Sequence, residues 1–169
     1  MQPKIENLGL GVQKITPFLH HDERGFLGEI FRQDWGTHLS KFMPKQLLIS
    51  QSKPGIIRAW HRHHKNQIDF LFVRKGTLKI CAYDGDDTSN TYSQLVELII
   101  SANSPEIVKI PGHLWHGTKN IGNETSETIY FINNLYDYEN PDEERKEWND
   151  SFIIDPNTKK PFDWNKMES

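Results

Sequence analysis

Short stretches in which apolar and polar residues alternate recur along the chain, and clusters of Gly, Pro, Asn and Asp separate them. Alternation with a period of two is typical of a β-strand with one buried face. The pattern predicts strands at Gly11–Phe18, Gly28–Arg32, Gln46–Ser52, Ile56–His61, Ile68–Arg74, Thr77–Tyr83, Gln94–Ile100, Ile107–Ile110, Leu114–Lys119 and Thr128–Leu135. Strands at this spacing favour an all-β barrel or sandwich.

The clearest predicted unit is a hairpin in which Lys75-Gly76 joins two of these strands. In its second strand, Leu78, Ile80 and Ala82 alternate with Lys79, Cys81 and Tyr83. This alternation predicts one buried face and one exposed face for that strand.

Little helix is expected. Short helices are predicted at Trp35–Phe42 and at Asp142–Trp148, the second because it follows Asn140-Pro141. Residues 155–161 are expected to be irregular chain packed on the surface. The chain is thus interpreted as one domain, residues 1–169, with an N-terminal strand segment of about 1–32 and a C-terminal extension of about 140–169.

Composition excludes several classes of protein. The 169 residues carry a net charge of −3, with no excess of basic residues for nucleic acid and no apolar run long enough to cross a membrane. The N-terminus lacks the apolar core of a signal peptide. The single cysteine, Cys81, is expected to be a small buried hydrophobe. We therefore expect a cytoplasmic protein without nucleic-acid or membrane partners.

The candidate chemistry lies in two histidine-bearing segments, Arg58–His64 and Pro111–Gly117. If both face one cavity, their imidazoles can remove a proton from carbon as a general base or hold a divalent metal.

A metal site would use His61, His63, Gln67 and His116, because side chains two apart on a strand share a face. However, the neutral amide of Gln67 is a poor ligand for a divalent transition metal, although Asp69 shares its strand face. The sequence therefore favours an enzyme without an obligatory metal or other cofactor, and this metal site remains the alternative.

Four segments, Asp22–Glu29, Ser50–His61, Ile110–Gly117 and Ile129-Tyr130, resemble in order and spacing the dTDP-4-dehydrorhamnose 3,5-epimerase family. The resemblance extends roughly from Gly11 to Trp148. It implies a cupin-type, double-stranded β-helix jelly roll acting on nucleotide-linked 4-keto-6-deoxy sugars.

The resemblance also implies roles for individual residues. His61 stands at the position of the family's catalytic base and Tyr130 near that of its general acid. Arg58 and His116 match residues lining the sugar and phosphate site. Polar positions on the neighbouring strand are matched by Gln46, Ser50 and Ser52. Arg24, Phe26 and Glu29 match a segment that crosses to a partner subunit and contacts the nucleotide, which implies a homodimer.

The chain departs from the family pattern at several positions. Arg62 and His63 follow the base, Asp69 replaces a lysine thought to stabilise the enolate, and Leu48 replaces an asparagine. The carboxylate that orients the family's base has no counterpart in the sequence. His63 and Asp69 are accordingly included among the residues expected to face the substrate.

Inverting a carbon beside a ketone requires removing a proton from one face and returning one to the other. His61 and Tyr130 can supply these steps, while Arg58, Arg62 or Lys65 can stabilise the intermediate enolate. The sequence predicts a nucleotide-sugar epimerase acting at C3, C5 or both. A metal-dependent cupin enzyme using His61, His63 and His116, or a catalytically silent sugar-binding cupin, are the alternatives.

Overall fold

The structure is a computed structural model that describes residues 2–35 and 42–166. The described chain contains only β-strands and irregular segments, which confirms the all-β prediction. The strands are β1 (Lys4–Gly9), β2 (Val12–Thr16), β3 (Leu19–Asp22), β4 (Gly25–Gly28), β5 (Gln46–Ser52), β6 (Ile57–Arg62), β7 (Ile68–Lys75), β8 (Thr77–Tyr83), β9 (Leu95–Ser101), β10 (Ile107–Pro111), β11 (Trp115–Asn120), β12 (Ser126–Ile132) and β13 (Glu144–Arg145).

The strands form two facing antiparallel sheets and a small separate hairpin. The six-stranded sheet has the order β1-β2-β10-β7-β12-β5, and the five-stranded sheet has the order β13-β6-β11-β8-β9. Strands β3 and β4 pair only with each other among the described residues. This arrangement is the predicted jelly roll.

Apolar side chains from both sheets meet at one end of the space between them. Leu71 and Val73 of β7 face Leu78, Ile80 and Ala82 of β8 in this core. The period of two sends their neighbours to the outer faces. At the other end of the same space, polar residues replace the apolar ones and a cavity opens.

The outer face of the five-stranded sheet is covered by the C-terminal segment. Trp60 and Trp115 are each 1% exposed and belong to a cluster with Ile153, Phe162 and Trp164. The two tryptophans therefore serve wall packing. The prediction that one face of β8 is exposed is wrong, because this segment also buries Lys79, Cys81 and Tyr83.

A third apolar cluster covers the outer face of the six-stranded sheet and includes Phe70 and Phe131. Ile30 and Phe31 both pack against it. Successive residues of a strand cannot face the same side. The predicted strand at Gly28–Arg32 is therefore wrong beyond Gly28, where β4 ends.

The predicted helix at Asp142–Trp148 is also wrong. Glu144 and Arg145 instead form β13 beside β6, and Lys146 exchanges two backbone hydrogen bonds of 2.9 Å with Trp60. Pairing with a sheet edge thus outweighs the local helix signal. The predicted helix at Trp35–Phe42 lies mainly outside the described residues.

Within the described residues, no helix has the length and apolar character needed to span a membrane.

Candidate active site

A cavity of about 890 Å³ opens between the two sheets. Its walls come from β5, β6, β7, β11 and β12, and residues 134–146 form its rim. Most of the residues singled out from the sequence line it, namely Gln46, Ser50, Arg58, His61, His63, Gln67, Asp69, His116 and Tyr130.

His61 and His116 come from neighbouring strands of the five-stranded sheet. They are register partners on β6 and β11, and their ring centroids lie 4.2 Å apart. Burial, followed by the nearby ring of His116, holds the pKa of His61 well below its ordinary value. The ring is therefore neutral near pH 7 and available as a base.

His63 lies just after β6, where two backbone hydrogen bonds fix it through Gly112. The His63 N–H donates to the Gly112 carbonyl at 2.6 Å, and the Gly112 N–H donates to the Gln67 carbonyl at 2.9 Å. A Cβ on Gly112 would lie 2.6 Å from that Gln67 oxygen, so the approach requires glycine. The His63 Nδ1 is 2.5 Å from the Asp142 carbonyl, which leaves Nε2 facing the cavity.

Asp69 enters the cavity from β7 in the opposite sheet and is 4% exposed. Its Oδ2 lies 3.1 Å from the His116 Nε2 and 3.8 Å from the His63 Nε2. The Gln67 amide donates to its Oδ1 at 2.8 Å. Burial alone would raise the pKa of Asp69, but these three neighbours lower it below its usual value, so the side chain is a carboxylate.

Tyr130 faces the histidines from β12 of the six-stranded sheet. Its hydroxyl lies 3.5 Å from the Ser50 Oγ. Burial raises the pKa of its phenol, which keeps the proton on oxygen and makes Tyr130 a proton donor.

Four side chains of the cavity can together hold a metal ion. The donor atoms of His61, His63, Asp69 and His116 all lie within 4.8 Å of one another. The Gln67 amide nitrogen, a hydrogen-bond donor, faces both His63 and Asp69 at 3.1 and 2.8 Å. The fourth side chain of the cluster is thus Asp69 rather than Gln67.

The three cations predicted to stabilise an enolate have different positions. Arg58 lines the cavity, and its guanidinium donates to the Ser52 Oγ and the Gln51 carbonyl at 2.9 Å each. Lys65 reaches the rim and donates to the Asn140 carbonyl. Arg62 lies 4.7 Å from the Trp115 ring centre on the other face of the sheet and pairs with Glu144, because it alternates with His61 and His63.

Arg24, Phe26 and Glu29 lie outside this cavity in the single chain. Arg24 is on the turn of the β3–β4 hairpin, where it pairs with Asp22 and its side chain is 82% exposed. Phe26 is 57% exposed, and Glu29 pairs with Arg32.

The rim contains residues that sequence reasoning missed. Tyr136 and Tyr138 line the cavity just after the predicted strand Thr128–Leu135, and Arg145 and Lys146 line it from the predicted helix Asp142–Trp148. The feature of the sequence that could have indicated them is the pair of aromatic residues, Tyr136 and Tyr138, in a polar segment. Their ring centres lie 5.0 Å apart in the structure.

The arrangement places a neutral imidazole and a protonated phenol on opposite walls of one cavity. A ring held between them can lose a proton to one side and gain a proton from the other. Cations and hydroxyl groups at the walls and rim can bind the charged part of a substrate.

Comparison with known proteins identifies the family of this chain. The family model described as dTDP-4-dehydrorhamnose 3,5-epimerase matches residues 10–157. The chain is 43% identical over 124 residues to a Haloferax volcanii protein named probable low-salt glycan biosynthesis epimerase Agl13, which covers 73% of this chain and 78% of that protein. It is 32% identical over 157 residues to the Bacillus subtilis spore coat polysaccharide biosynthesis protein SpsL, covering 93% and 95% of the two chains.

Solved structures show the same fold. The dTDP-4-dehydrorhamnose 3,5-epimerase of Sulfolobus tokodaii superposes with a TM-score of 0.78 at 30% identity, covering 92% of this chain and 87% of that one. A Legionella pneumophila 3,5-epimerase, solved with dTDP-4-keto-L-rhamnose bound, gives a TM-score of 0.80 at 24% identity, covering 90% and 81%.

Proposed function

The chain belongs to the dTDP-4-dehydrorhamnose 3,5-epimerase family and is an isomerase, and from this premise we propose that it inverts C3, C5 or both of a nucleotide-linked 4-keto-6-deoxyhexose. The observation that carries the proposal is the presence of His61 and Tyr130 on facing sheets of one cavity. At about 890 Å³, the cavity is large enough for the sugar.

In the proposed reaction, His61 takes a proton from the carbon beside the ketone. The C–H electron pair forms a C–C double bond, and the carbonyl π electrons move onto O4 to give an enolate. Tyr130 then donates its O–H proton to the opposite face of that carbon, and the ketone is restored. Solvent returns a proton to the tyrosinate and removes one from the imidazolium, so no oxidant or reductant is needed.

The nucleotide and the pathway are inferred from relatives. A relative of similar fold was solved with a dTDP-linked keto sugar, which supports a nucleotide-linked substrate. Two sequence relatives carry names of glycan and spore-coat polysaccharide biosynthesis. We infer that this chain supplies an inverted sugar for a polysaccharide, and that it works in the cytoplasm.

A homodimer is part of the proposal. Arg24, Phe26 and Glu29 stand where the family contacts the nucleotide, yet in one chain they lie outside the cavity. The β3–β4 hairpin that carries Arg24 and Phe26 pairs with no other described strand. If this hairpin packs against a partner subunit, these residues would contact the substrate bound in the cavity of that partner.

Deuterium incorporation from heavy water tests the proposed chemistry. A nucleotide-linked 4-keto-6-deoxyhexose is incubated with the protein, and C3 and C5 are followed by NMR. His61→Asn should lose both exchange and epimerisation. Tyr130→Phe keeps the ring but removes the donor, so exchange should continue while inversion slows by about 10²–10⁴-fold.

Two results would contradict the proposal. Full exchange by the His61→Asn protein would show that another group is the base. If the wild-type protein caused no exchange in any such sugar but still bound it, a sugar-binding role would replace the enzymatic one. Tyr92→Phe is a matched control, because Tyr92 is 47% exposed and lies outside the cavity.

A further inference from the structure

We propose that His63, Asp69 and His116 hold one divalent transition-metal ion, with an open coordination position toward the ketone oxygen of the sugar and with His61 left free as the base. The role of the ion rests on the function proposed above, whereas its binding does not.

The hydrogen-bond count at His116 points to a cation. Its Nδ1 lies 2.8 Å from the Leu114 carbonyl, which can only accept, so Nδ1 carries the proton. A neutral ring then presents the lone pair of Nε2 to the Asp69 Oδ2 at 3.1 Å. Two acceptors at this distance repel each other unless a second proton or a cation lies between them.

His63 is oriented in the same way. Its Nδ1 faces the Asp142 carbonyl at 2.5 Å, so its Nε2 carries a lone pair, which accepts from the Gln67 amide at 3.1 Å and lies 3.8 Å from the Asp69 Oδ2. A metal ion between His116 and Asp69 would bind this lone pair in place of the Gln67 hydrogen bond, whereas a second proton on His116 would serve the His116–Asp69 pair alone. Backbone carbonyls that fix the far nitrogen of each imidazole are the usual outer partners of metal-binding histidines.

Asp69 is held in place as a metal-binding carboxylate would be. The Gln67 amide donates to its Oδ1 and leaves Oδ2 toward the two rings. Around a tetrahedral ion with histidine and carboxylate ligands, neighbouring donor atoms lie about 3.3 Å apart. The observed 3.1 and 3.8 Å bracket this separation, so shifts of a few tenths of an ångström close the site.

The sequence argued against a metal site, but that argument does not apply to His63, Asp69 and His116. It concerned the neutral Gln67, but the structure supplies the anionic Asp69, and imidazole with carboxylate suits Zn²⁺, Co²⁺ or Fe²⁺. Without a cation, a buried carboxylate would face the developing enolate and raise its energy. A divalent ion changes the charge of the group from −1 to +1 and stabilises the enolate oxygen.

Binding is tested first, on the full chain after treatment with a chelator and without any sugar. Co²⁺ should bind at one ion per chain with the strong visible absorption of a four-coordinate site, and Zn²⁺ should compete. Asp69→Asn and His63→Asn should each weaken binding at least about 100-fold, since each removes a ligand. His61→Asn should bind within about 3-fold of wild type, because its imidazole is not a ligand in this proposal.

Two binding results would overturn the site. In the first, wild type binds Co²⁺ no more tightly than the Asp69→Asn protein does. In the second, His61→Asn loses as much affinity for Co²⁺ as His63→Asn does. Each variant is checked by thermal unfolding, and if Asp69→Asn fails to fold, His63→Asn provides the comparison. Zn²⁺ should raise the melting temperature of wild type but not that of a ligand variant.

Deuterium exchange with and without the metal distinguishes a failure of the metal proposal from a failure of the epimerase assignment. Chelated wild type should lose deuterium exchange and regain it when the metal is restored. If chelated protein exchanges at the full rate, the metal has no catalytic role and the epimerase assignment stands. If metal binds tightly but no sugar exchanges, the metal site stands and the epimerase assignment fails.

Discussion

His61 and His116 face each other across β6 and β11, and this register depends on the residue that follows His116. A Cβ on Gly117 would lie 2.3 Å from the Ala59 Cβ and 2.8 Å from the Arg58 carbonyl. The two strands can therefore approach this closely only with glycine at position 117. The separation of the two imidazoles follows from that approach.

Gly117→Ala should push β6 away from β11 and separate His61 from His116. We expect a loss of about 1–3 kcal/mol in the free energy of unfolding, as for overpacked sites, together with a large fall in epimerisation. Urea unfolding and the rate of inversion measure the two effects. Gly122→Ala is the control, because its nearest neighbour, the Asn120 Oδ1, is 3.4 Å away. Equal stability of Gly117→Ala and wild type would show that the strands do not need this contact.

Tyr138 should bind substrate without taking part in the chemistry. Its side chain lines the cavity, yet the residue is 85% exposed in the free chain. Tyr138→Ala should raise KM about 10-fold and leave kcat nearly unchanged, since a contact equal in ground and transition states affects binding alone. Steady-state kinetics measure both constants. Tyr92→Ala, outside the cavity, should change neither, and an unchanged KM in Tyr138→Ala would remove this residue from the substrate site.

Exposed apolar residues should form the dimer interface. Phe26 and Leu27 on the β3–β4 hairpin are 57% and 75% exposed, and Leu47 and Ile49 on the edge strand β5 are 60% and 68% exposed. Patches of this kind are typical of contact surfaces. Light scattering should find a dimer at micromolar concentration. The double change Phe26→Ser and Leu27→Ser should shift it toward monomer.

The control for this experiment is Ile99→Ser. Ile99 is 47% exposed on β9, at an edge of the other sheet. The Ile99→Ser protein should remain a dimer. A wild-type monomer at micromolar concentration would contradict the shared site.

Asp155 should make stability depend on acid pH. The Lys166 ammonium, 2.8 Å from its carboxylate, lowers the pKa of Asp155 to about 2 from its usual 3.8. Because the folded pKa is the lower one, the stabilisation is complete above pH 3.8 and is lost as the pH falls toward 2. Lys166 is 40% exposed at its side chain, so the solvent-screened effect is about 1–2 kcal/mol.

Urea unfolding of wild type and Asp155→Asn tests this effect. Asparagine keeps the Oδ1 that accepts the Asn157 N–H at 2.8 Å, while an amide NH₂ replaces the charged oxygen that accepts from Lys166. Wild type should be the more stable protein at pH 6, and the difference should shrink below pH 3.8. A difference that is constant with pH would show that the Lys166 pair does not stabilise the fold.

Most of the central strands were predictable, because their two faces differ in the side chains they bear. The predictions for β5 and β8 agree with the observed bounds. Those for β7 and β10 differ by one residue at one end, and those for β6, β9 and β11 by one residue at each end. The hairpin β3–β4 was missed because His20, His21 and Asp22 show no apolar alternation. The segment at Glu144–Arg145 owes its strand structure to pairing with β6, which a local pattern does not contain.

The site was predictable as far as side chains two apart on a strand share a face. This rule placed His61 with His63 and Gln67 with Asp69, whereas Tyr130 came from the resemblance to the family. The structure brings these residues together in one cavity. The rule could not choose between Gln67 and Asp69 as the partner of the histidines, because both lie on that face. The distance between β7 and β11 across the cavity decides it, and such distances between sheets depend on packing of the whole chain.

The five-stranded sheet is enclosed on both faces, by the core and cavity on one side and by Ile153, Phe162 and Trp164 on the other. Almost any replacement in β8 or β11 therefore disturbs packing somewhere. The rim at Tyr138 lacks this constraint, because that residue is 85% exposed. Among diverging copies of this gene, preference for one sugar over another can change at the rim while the catalytic walls stay as they are.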